Sequence, residues 1–315
     1  MEFIEKYSNG NIKTEGYITF PDSLKIGKWK HYYKNGELEK EYILPSGEAK
    51  LYYENGNFNI TGNFENREKH GAWVKYYRDN KIKGIQKYNN GTLESEEKYY
   101  ENGGLKFKSL HPNGLYKEFH EDGKIHSKGN LKNNEREGLW KFYDYDGEIK
   151  QTIEYKNGLK HGVTNNLLYN TKETFDKNKL IKEEHFYNNK KHHYIKEHKN
   201  SSIYFKFYHI NGNIKLKGVL NQYEEYVGVI KEYNEDGVLK TETNYKDGLR
   251  VGLKITYFEN GTISFQQEYK NNIQKGQFIS YYPNGKIESE GMANNQNIYD
   301  VKYYDENGNL TRTYK

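Results

Sequence analysis

Gly27-Lys28-Trp29-Lys30-His31-Tyr32-Tyr33-Lys34-Asn35-Gly36-Glu37-Leu38 decides how this chain folds. Asn35-Gly36 is hairpin chemistry, because a type I′ turn needs positive φ at both central residues. The aromatic and apolar residues around it suit strands. The pattern aromatic-x-Asn-Gly-x-apolar recurs at Tyr7–Ile12, Tyr53–Phe58, Tyr100–Leu105, Phe258–Ile263, Tyr282–Ile287 and, one residue longer, Tyr304–Leu310. Weaker copies span Tyr77–Ile82, Phe119–Ile125, Tyr143–Ile149, Phe175–Leu180, Tyr208–Ile214 and Tyr233–Leu239. Their turns include Gly36, Gly56, Gly123, Gly147, Gly212, Gly237, Gly261, Gly285 and Gly308.

A second series of loop residues follows eleven positions later, at Gly47, Gly91, Gly114, Asn134, Gly158, Asn189, Gly248 and Asn272. That interval leaves room for one strand of roughly five to seven residues. The return legs are irregular only over 159–211, which reads as degenerate repeats with two insertions, Leu159–Lys177 and Lys190–Asn211. Six return legs read Gly-x-large-x-x-Tyr, starting at Gly27, Gly71, Gly138, Gly228, Gly252 and Gly276. Strand side chains alternate faces. Tyr32, Tyr76, Tyr143, Tyr233, Tyr257 and Tyr281 therefore face one side, with Trp29, Trp73 and Trp140 on the other beside Tyr33 and Tyr77. The leading glycines are expected to let the rings lie against backbone. Aromatics mixed with Lys, Glu and Thr on both faces favour one layer wetted on both sides. The expected fold is all-β: an elongated single-layer antiparallel meander of tandem β-hairpins, about 13 repeats over residues 1–315. Roughly 25 strands at about 4.8 Å spacing would extend on the order of 110 Å.

Composition agrees. Of 315 residues, 34% are hydrophobic and 16% aromatic, including 33 Tyr. So few aliphatics suggest disorder, but disordered chains lack aromatics, and local ring stacking in a repeat array reconciles the two. The net charge is +5, spread along the chain. The dense basic stretch Lys190–Lys199 makes Lys190, Lys191, His192, His193, Lys196 and Lys199 candidate contacts to a partner or to anionic lipid. Without cysteine there is no disulfide or thiolate metal site. The start, Met1-Glu2-Phe3-Ile4-Glu5-Lys6, lacks a signal-peptide pattern, so the chain reads as cytoplasmic with export left open.

Gly27–Leu38, Tyr155–Gly162 and Tyr245–Gly252 resemble the bacterial variant of the MORN repeat. The resemblance runs from about Tyr7 to Leu310 and weakens between Val163 and Phe207. It implies successive hairpins in a twisted sheet, with protein interaction or membrane-surface association as roles; bacterial members are often labelled antitoxins. Aromatic pairs before Asn-Gly are also similar to choline-binding cell-wall repeats, where rings cage a quaternary ammonium. The function expected is a non-catalytic scaffold binding a protein partner through its sheet surface. The alternatives are an anionic-lipid module, an antitoxin-like neutraliser and a cell-wall binder. No catalytic, cofactor or metal residue is assigned, and neither nucleic acid nor a small-molecule substrate is expected. Glu183, Glu184, His185, His192, His193 and His198 read as a polar, mobile loop, and Asp144–Glu148 as a turn. The Tyr rows read as the fold's own cross-strand packing.

Overall fold

The computed structural model describes residues 1–315 as 28 β-strands and no helix, numbered β1–β28 in chain order. Two compact units divide the chain at Lys160/His161. Within each unit, strands pair antiparallel with their neighbours in sequence, as in β3 (Lys25–Tyr32) with β4 (Leu38–Leu44). Each unit is thus an open meander with no helix over either face.

Two turn types alternate. The Asn-Gly turns of the first series are not type I′. In Tyr33-Lys34-Asn35-Gly36 only Gly36 has positive φ, 90°, and its amide donates to the Tyr33 carbonyl. The Tyr33 amide then donates to the Glu37 carbonyl, and register shifts by one residue at His31/Tyr32. This is a three-residue loop closed by a glycine bulge, the next commonest hairpin after the primed turns. The primed turns, with both residues left-handed, are in the second series, as at Asn90 (43°) and Gly91 (79°), Asn133 (52°) and Asn134 (64°), and Asp247 (48°) and Gly248 (75°); at Gly47 and Gly114 only the glycine is left-handed.

That distinction corrects the reading of 159–211. The stretch holds no long insertion loop; β15 (Leu159–Asn166), β16 (Thr171–Asp176), β17 (Lys179–Phe186), β18 (His192–Lys199) and β19 (Ser202–Tyr208) fill it. The turn expected over Phe175–Leu180 as a first-series member is a primed turn, with Lys177 at 48° and Asn178 at 66°. The first-series turn lies twelve residues on, where Lys190 stands in glycine's place at φ 64° and donates to the Tyr187 carbonyl. Asn189, expected as a second-series residue, is instead the third residue of this first-series turn. Further corners at Asn66-Arg67, Asn200 and Asn295, outside both expected series, bring the strands to 28 where roughly 25 were expected.

The leading glycines also do a different job from the one expected. Gly27, Gly71 and Gly138 have φ of 65°, 66° and 70°, and a Cβ there would meet nothing within 4 Å. They open a bulge opposite a second set of glycines on the preceding strand: Gly16, Gly62 and Gly129. A Cβ at any of those three would collide with the indole of Trp29, Trp73 or Trp140. Each indole N–H donates to the carbonyl just after that glycine: Trp29 to Tyr17 (3.1 Å), Trp73 to Asn63 (3.0 Å), Trp140 to Asn130 (3.1 Å). On the ring, four residues back in sequence, lies a cation: Lys25 at 4.3 Å, Lys69 at 4.7 Å and Arg136 at 4.4 Å. Cation, indole and glycine thus recur three times in the first unit as a buried module. In the second unit Ile230 takes the tryptophan place against Gly218, and Val301 does so against Gly291, which Phe278 also touches from the other neighbouring strand; Gln267 stands where a glycine would lie against Phe278.

Candidate partner-binding surface

The tryptophan face is the drier one; Trp29 and Trp140 are each 1% exposed. The opposite face carries the tyrosines, and each meets whatever residue precedes the packed glycine. Tyr32 donates to Glu15 (2.6 Å) and Tyr304 to Glu290 (2.8 Å), while the Tyr76 hydroxyl meets that of Thr61 (3.2 Å). Where that residue is lysine, the cation sits over the ring instead: Lys128 over Tyr143 at 5.3 Å, Lys217 over Tyr233 at 5.1 Å. Burial, reinforced by Glu15, pushes the Tyr32 hydroxyl up to about 12. Tyr257 and Tyr281 are likewise raised by burial, and Tyr281 donates to Gln266 (2.8 Å).

Tyr33 and Tyr77 do not pack beside the tryptophans as expected. The bulge carries them out of the strand, and their hydroxyls tie one turn to the next. Tyr7 donates to the Tyr32 carbonyl, Tyr33 to Tyr52, Tyr53 to Tyr76, Tyr77 to Tyr99 and Tyr100 to Phe119, all at 2.8–2.9 Å. In the second unit Tyr187 bonds the Tyr208 carbonyl and Tyr282 that of Tyr304. Those rings are committed to structure. The tryptophan rings are too: with a cation on one face and glycine on the other, they present no open cage to a choline-like ligand.

What varies is the middle row of the tyrosine-bearing face, read from cross-strand partners. In the first unit it runs Glu15, Lys30, Glu41, Lys50, Thr61, Val74, Ile85, Glu97, Lys108, Lys117, Lys128, Lys141. The row opens with alternating charge and closes with four lysines in succession. In the second unit the corresponding row contains Lys206, Lys217 and Lys231 in succession. Like charges directly opposite one another are destabilising, by roughly 0.2–1 kcal/mol a pair. Beside each lysine block lie apolar side chains open to solvent: Leu110, Leu115 and Leu139 in the first unit, Tyr204 and Val229 in the second. Tyr204, Val219 and Val229 with the second block line an open depression of about 410 Å³.

The stretch Lys190–Lys199 does not make one basic patch. Strand alternation divides it between faces, and much of it is engaged. Lys191 donates to the Asn211 carbonyl (2.5 Å), the His193 ring lies tilted against Tyr187 (centroids 4.7 Å apart), and Lys199 pairs with Glu197 (3.0 Å). Lys196 lies 2.9 Å from Glu224 and 3.5 Å from Glu183; burial opposes its charge, but these partners raise its pKa. The histidine and glutamate cluster is not a mobile loop but part of β17 and β18. Glu184 is buried and meets His192 and Lys182 at 3.1 Å each. Burial alone would raise its pKa, but those hydrogen bonds outweigh it and hold the carboxyl below its ordinary value. No group of three or more His, Asp or Glu is arranged to hold a metal ion. Asp144 is a turn residue, as expected: its carboxylate accepts from the Asp146 and Glu148 amides.

The lysine blocks are the surface feature that sequence reading missed. Their only linear signal is a lysine just before the packed glycine, Lys128-Gly129 and Lys217-Gly218, with another three residues after the bulge glycine, Lys141 and Lys231.

The chain has weak likeness to solved toxin assemblies. A Photorhabdus luminescens Tc holotoxin pore is 10% identical, with 100% of this chain and 19% of that chain covered, at a TM-score of 0.17. A TcdB2-TccC3-Cdc42 complex is 9% identical, with 98% and 22% covered, at a TM-score of 0.16. This chain spans about a fifth of the length of those chains, and scores so low carry no functional weight. No curated protein matches it in sequence. The MORN repeat variant model matches residues 25–43, 45–66, 69–90, 112–133, 136–157, 226–247, 250–271 and 274–295, more than half the chain. The longest stretch it skips, 158–225, includes the turn at Lys190, and the packed glycines Gly62 and Gly129 fall inside matched repeats. The chain belongs to the MORN repeat variant family.

Proposed function

We propose that this chain is a non-catalytic scaffold that binds a protein partner on the lysine-bearing face of its sheet. One observation carries the reading: each unit holds a block of opposed lysines flanked by exposed apolar side chains, an arrangement that weakens the free protein and suits a complementary surface. The carboxylates of the same face point away from catalysis. Hydrogen bonds from Lys28 hold the Glu41 carboxyl below its usual range, those from Lys108 and Tyr99 do so for Glu97, and that from Tyr304 for Glu290. A carboxylate held ionised by fixed donors is poorly poised as a general acid near neutral pH. A toxin would be one such partner, so the antitoxin reading is a special case of this one.

The test is a photo-crosslinking residue at Leu139 and, separately, at Val229, with Tyr169 as a remote control. A discrete protein adduct from the first two positions is expected, and the identified protein, once purified, should form a stoichiometric complex with this chain. Adducts no different from the control, or substrate turnover by the purified chain, would contradict it.

The lysine blocks also favour a second reading, an anionic membrane surface. No helix here is long and apolar enough to cross a membrane, so such binding would be peripheral to the bilayer core or made by strands. Flotation with phosphatidylserine vesicles at low and high salt separates the two readings, since lipid binding of this kind is lost as salt rises.

A further inference from the structure

Elsewhere on the tyrosine-bearing face the sheet neutralises itself: Glu15, Lys30, Glu41 and Lys50 alternate, and Lys28 reaches Glu41 at 2.7 Å. Lys117 instead faces Lys108 and Lys128 across the strands, and Lys217 faces Lys206 and Lys231; carboxylates compensate each block only at one edge, Glu97 meeting Lys108 at 2.8 Å and Glu242 meeting Lys231 at 2.5 Å. Both blocks have the same second stripe. Leu139 and Val229 follow the bulge glycines Gly138 and Gly228 and lie beside Lys141 and Lys231, on strand positions of the same face. The two units therefore present the same motif, a row of cations next to a row of exposed apolar groups, both perpendicular to the strands; in the first unit Asn130, opposite Leu115, interrupts the apolar row.

We infer that each lysine block is a docking strip for an acidic amphipathic helix of a protein partner, laid across the strands. Spacing selects the helix. Adjacent strands lie about 4.8 Å apart. A helix returns a side chain to the same stripe about every 5.4 Å, whereas a strand does so only about every 6.6 Å. Over three or four lysines a helix therefore stays in step with the row, and an extended peptide does not. Charge selects the sign, carboxylates opposite ammonium groups. The leucine row selects a protein over a polyanion, because in the first unit Leu110, Leu115 and Leu139 offer nothing for a base to stack on and would remain wet beneath phosphates. This proposal rests on the scaffold reading and gives it a partner chemistry.

The probe is a synthetic helix of roughly 18 residues with glutamates on one stripe and leucines on the adjacent one. Binding to the full chain is read by fluorescence anisotropy beside a scrambled peptide of equal composition, an extended acidic peptide, a single-stranded oligonucleotide and phosphatidylserine vesicles. The amphipathic helix should bind best and weaken as salt rises. Lys117→Glu with Lys128→Glu should weaken it at least about tenfold at the first strip, and Lys217→Glu should do the same at the second, with unchanged circular dichroism showing that each variant folds. Lys117→Arg should retain binding. Equal binding of the scrambled or extended peptide, tighter binding of oligonucleotide or vesicle, or indifference to the charge reversals would overturn the proposal. A cellular partner that crosslinks away from both strips, with no affinity for the probe, would remove this proposal and leave the scaffold reading standing. Probe binding at the strips with no cellular protein partner would remove the scaffold reading and, with it, the partner assigned to the strips.

Discussion

Glu15-Lys30-Glu41-Lys50 and Lys108-Lys117-Lys128-Lys141 occupy one row of the same face, four strands each, over backbones of the same kind. The first block places each charge opposite its complement, and Tyr32 adds a hydrogen bond to Glu15. The second stacks like charges, and its tyrosine, Tyr143, takes a cation over its ring instead. Identical geometry with opposite electrostatic order shows that the fold does not require the lysines. Glu15, Thr61, Lys128 and Glu290 all occupy the place before a packed glycine and all serve the fold. Within the second block Glu97 pairs with Lys108 and the Tyr143 ring takes Lys128, so Lys117, with lysine on both sides, is the least compensated.

If the two blocks differ only in surface charge, the packing below them should be equally costly to remove. Trp29→Ala under the alternating block and Trp140→Ala under the lysine block should each destabilise by about 3–5 kcal/mol in urea unfolding. A large inequality would mean that the blocks differ beneath the surface as well. Gly129→Ala, which drives a methyl into the Trp140 ring, should cost about 1–3 kcal/mol, and Gly62→Ala the same against Trp73. In the second unit, Lys190 holds a left-handed conformation that every matched first-series turn but one gives to glycine. Lys190→Gly should therefore raise the thermal midpoint, stabilising by about 1 kcal/mol.

The smallest effects are in pH. His31, on the tryptophan face beneath the alternating block, is lowered to about 4, first by burial and then by Lys40 and Lys25. Thr14 and Tyr42 face its two ring nitrogens, at 2.9 and 3.2 Å. Its folded pKa lies below the unfolded value near 6.5. The neutral ring's contribution is thus fully present above that value and is lost as pH falls toward about 4. Tyr32 runs the other way: raised to about 12, its contribution is present below about 10 and is lost as pH climbs between the two. NMR titration of the His31 ring checks the first. For the second, Glu15→Gln should lower the Tyr32 titration in ultraviolet absorbance, since it removes one of the causes of the shift.

The turns were legible in sequence because Asn and Gly are the residues that tolerate left-handed backbone, so their positions mark the corners. The all-β hairpin class follows from that and from strand alternation. Turn type was not legible, because both types use the same two residues and differ in which of them is left-handed. Nor was the series of the turn at Lys190, where Asn189 marks the corner but glycine is absent. The glycines of the return legs were visible but misassigned: pattern shows where a glycine is, whereas the bulge at Gly27 decides that Gly16 is the one beneath the ring. The lysine blocks were hidden for the same reason. Most strand pairs carry a register shift of one or two residues, so neighbours across the sheet cannot be counted from the chain without it. Residues that are neighbours in sequence, as in Lys190–Lys199, separate onto two faces, and lysines 9 to 13 residues apart come together.

The most direct measurement is the urea stability of Lys128→Glu, which turns Lys117-Lys128-Lys141 into an alternating row and gives Tyr143 the acceptor that Tyr32 finds in Glu15. A site kept for a partner should become more stable when its charges are balanced, by roughly 0.4–2 kcal/mol over two cross-strand pairs, while losing affinity for the acidic helix. Unchanged or lower stability, or retained affinity, would show that the lysines serve the sheet itself.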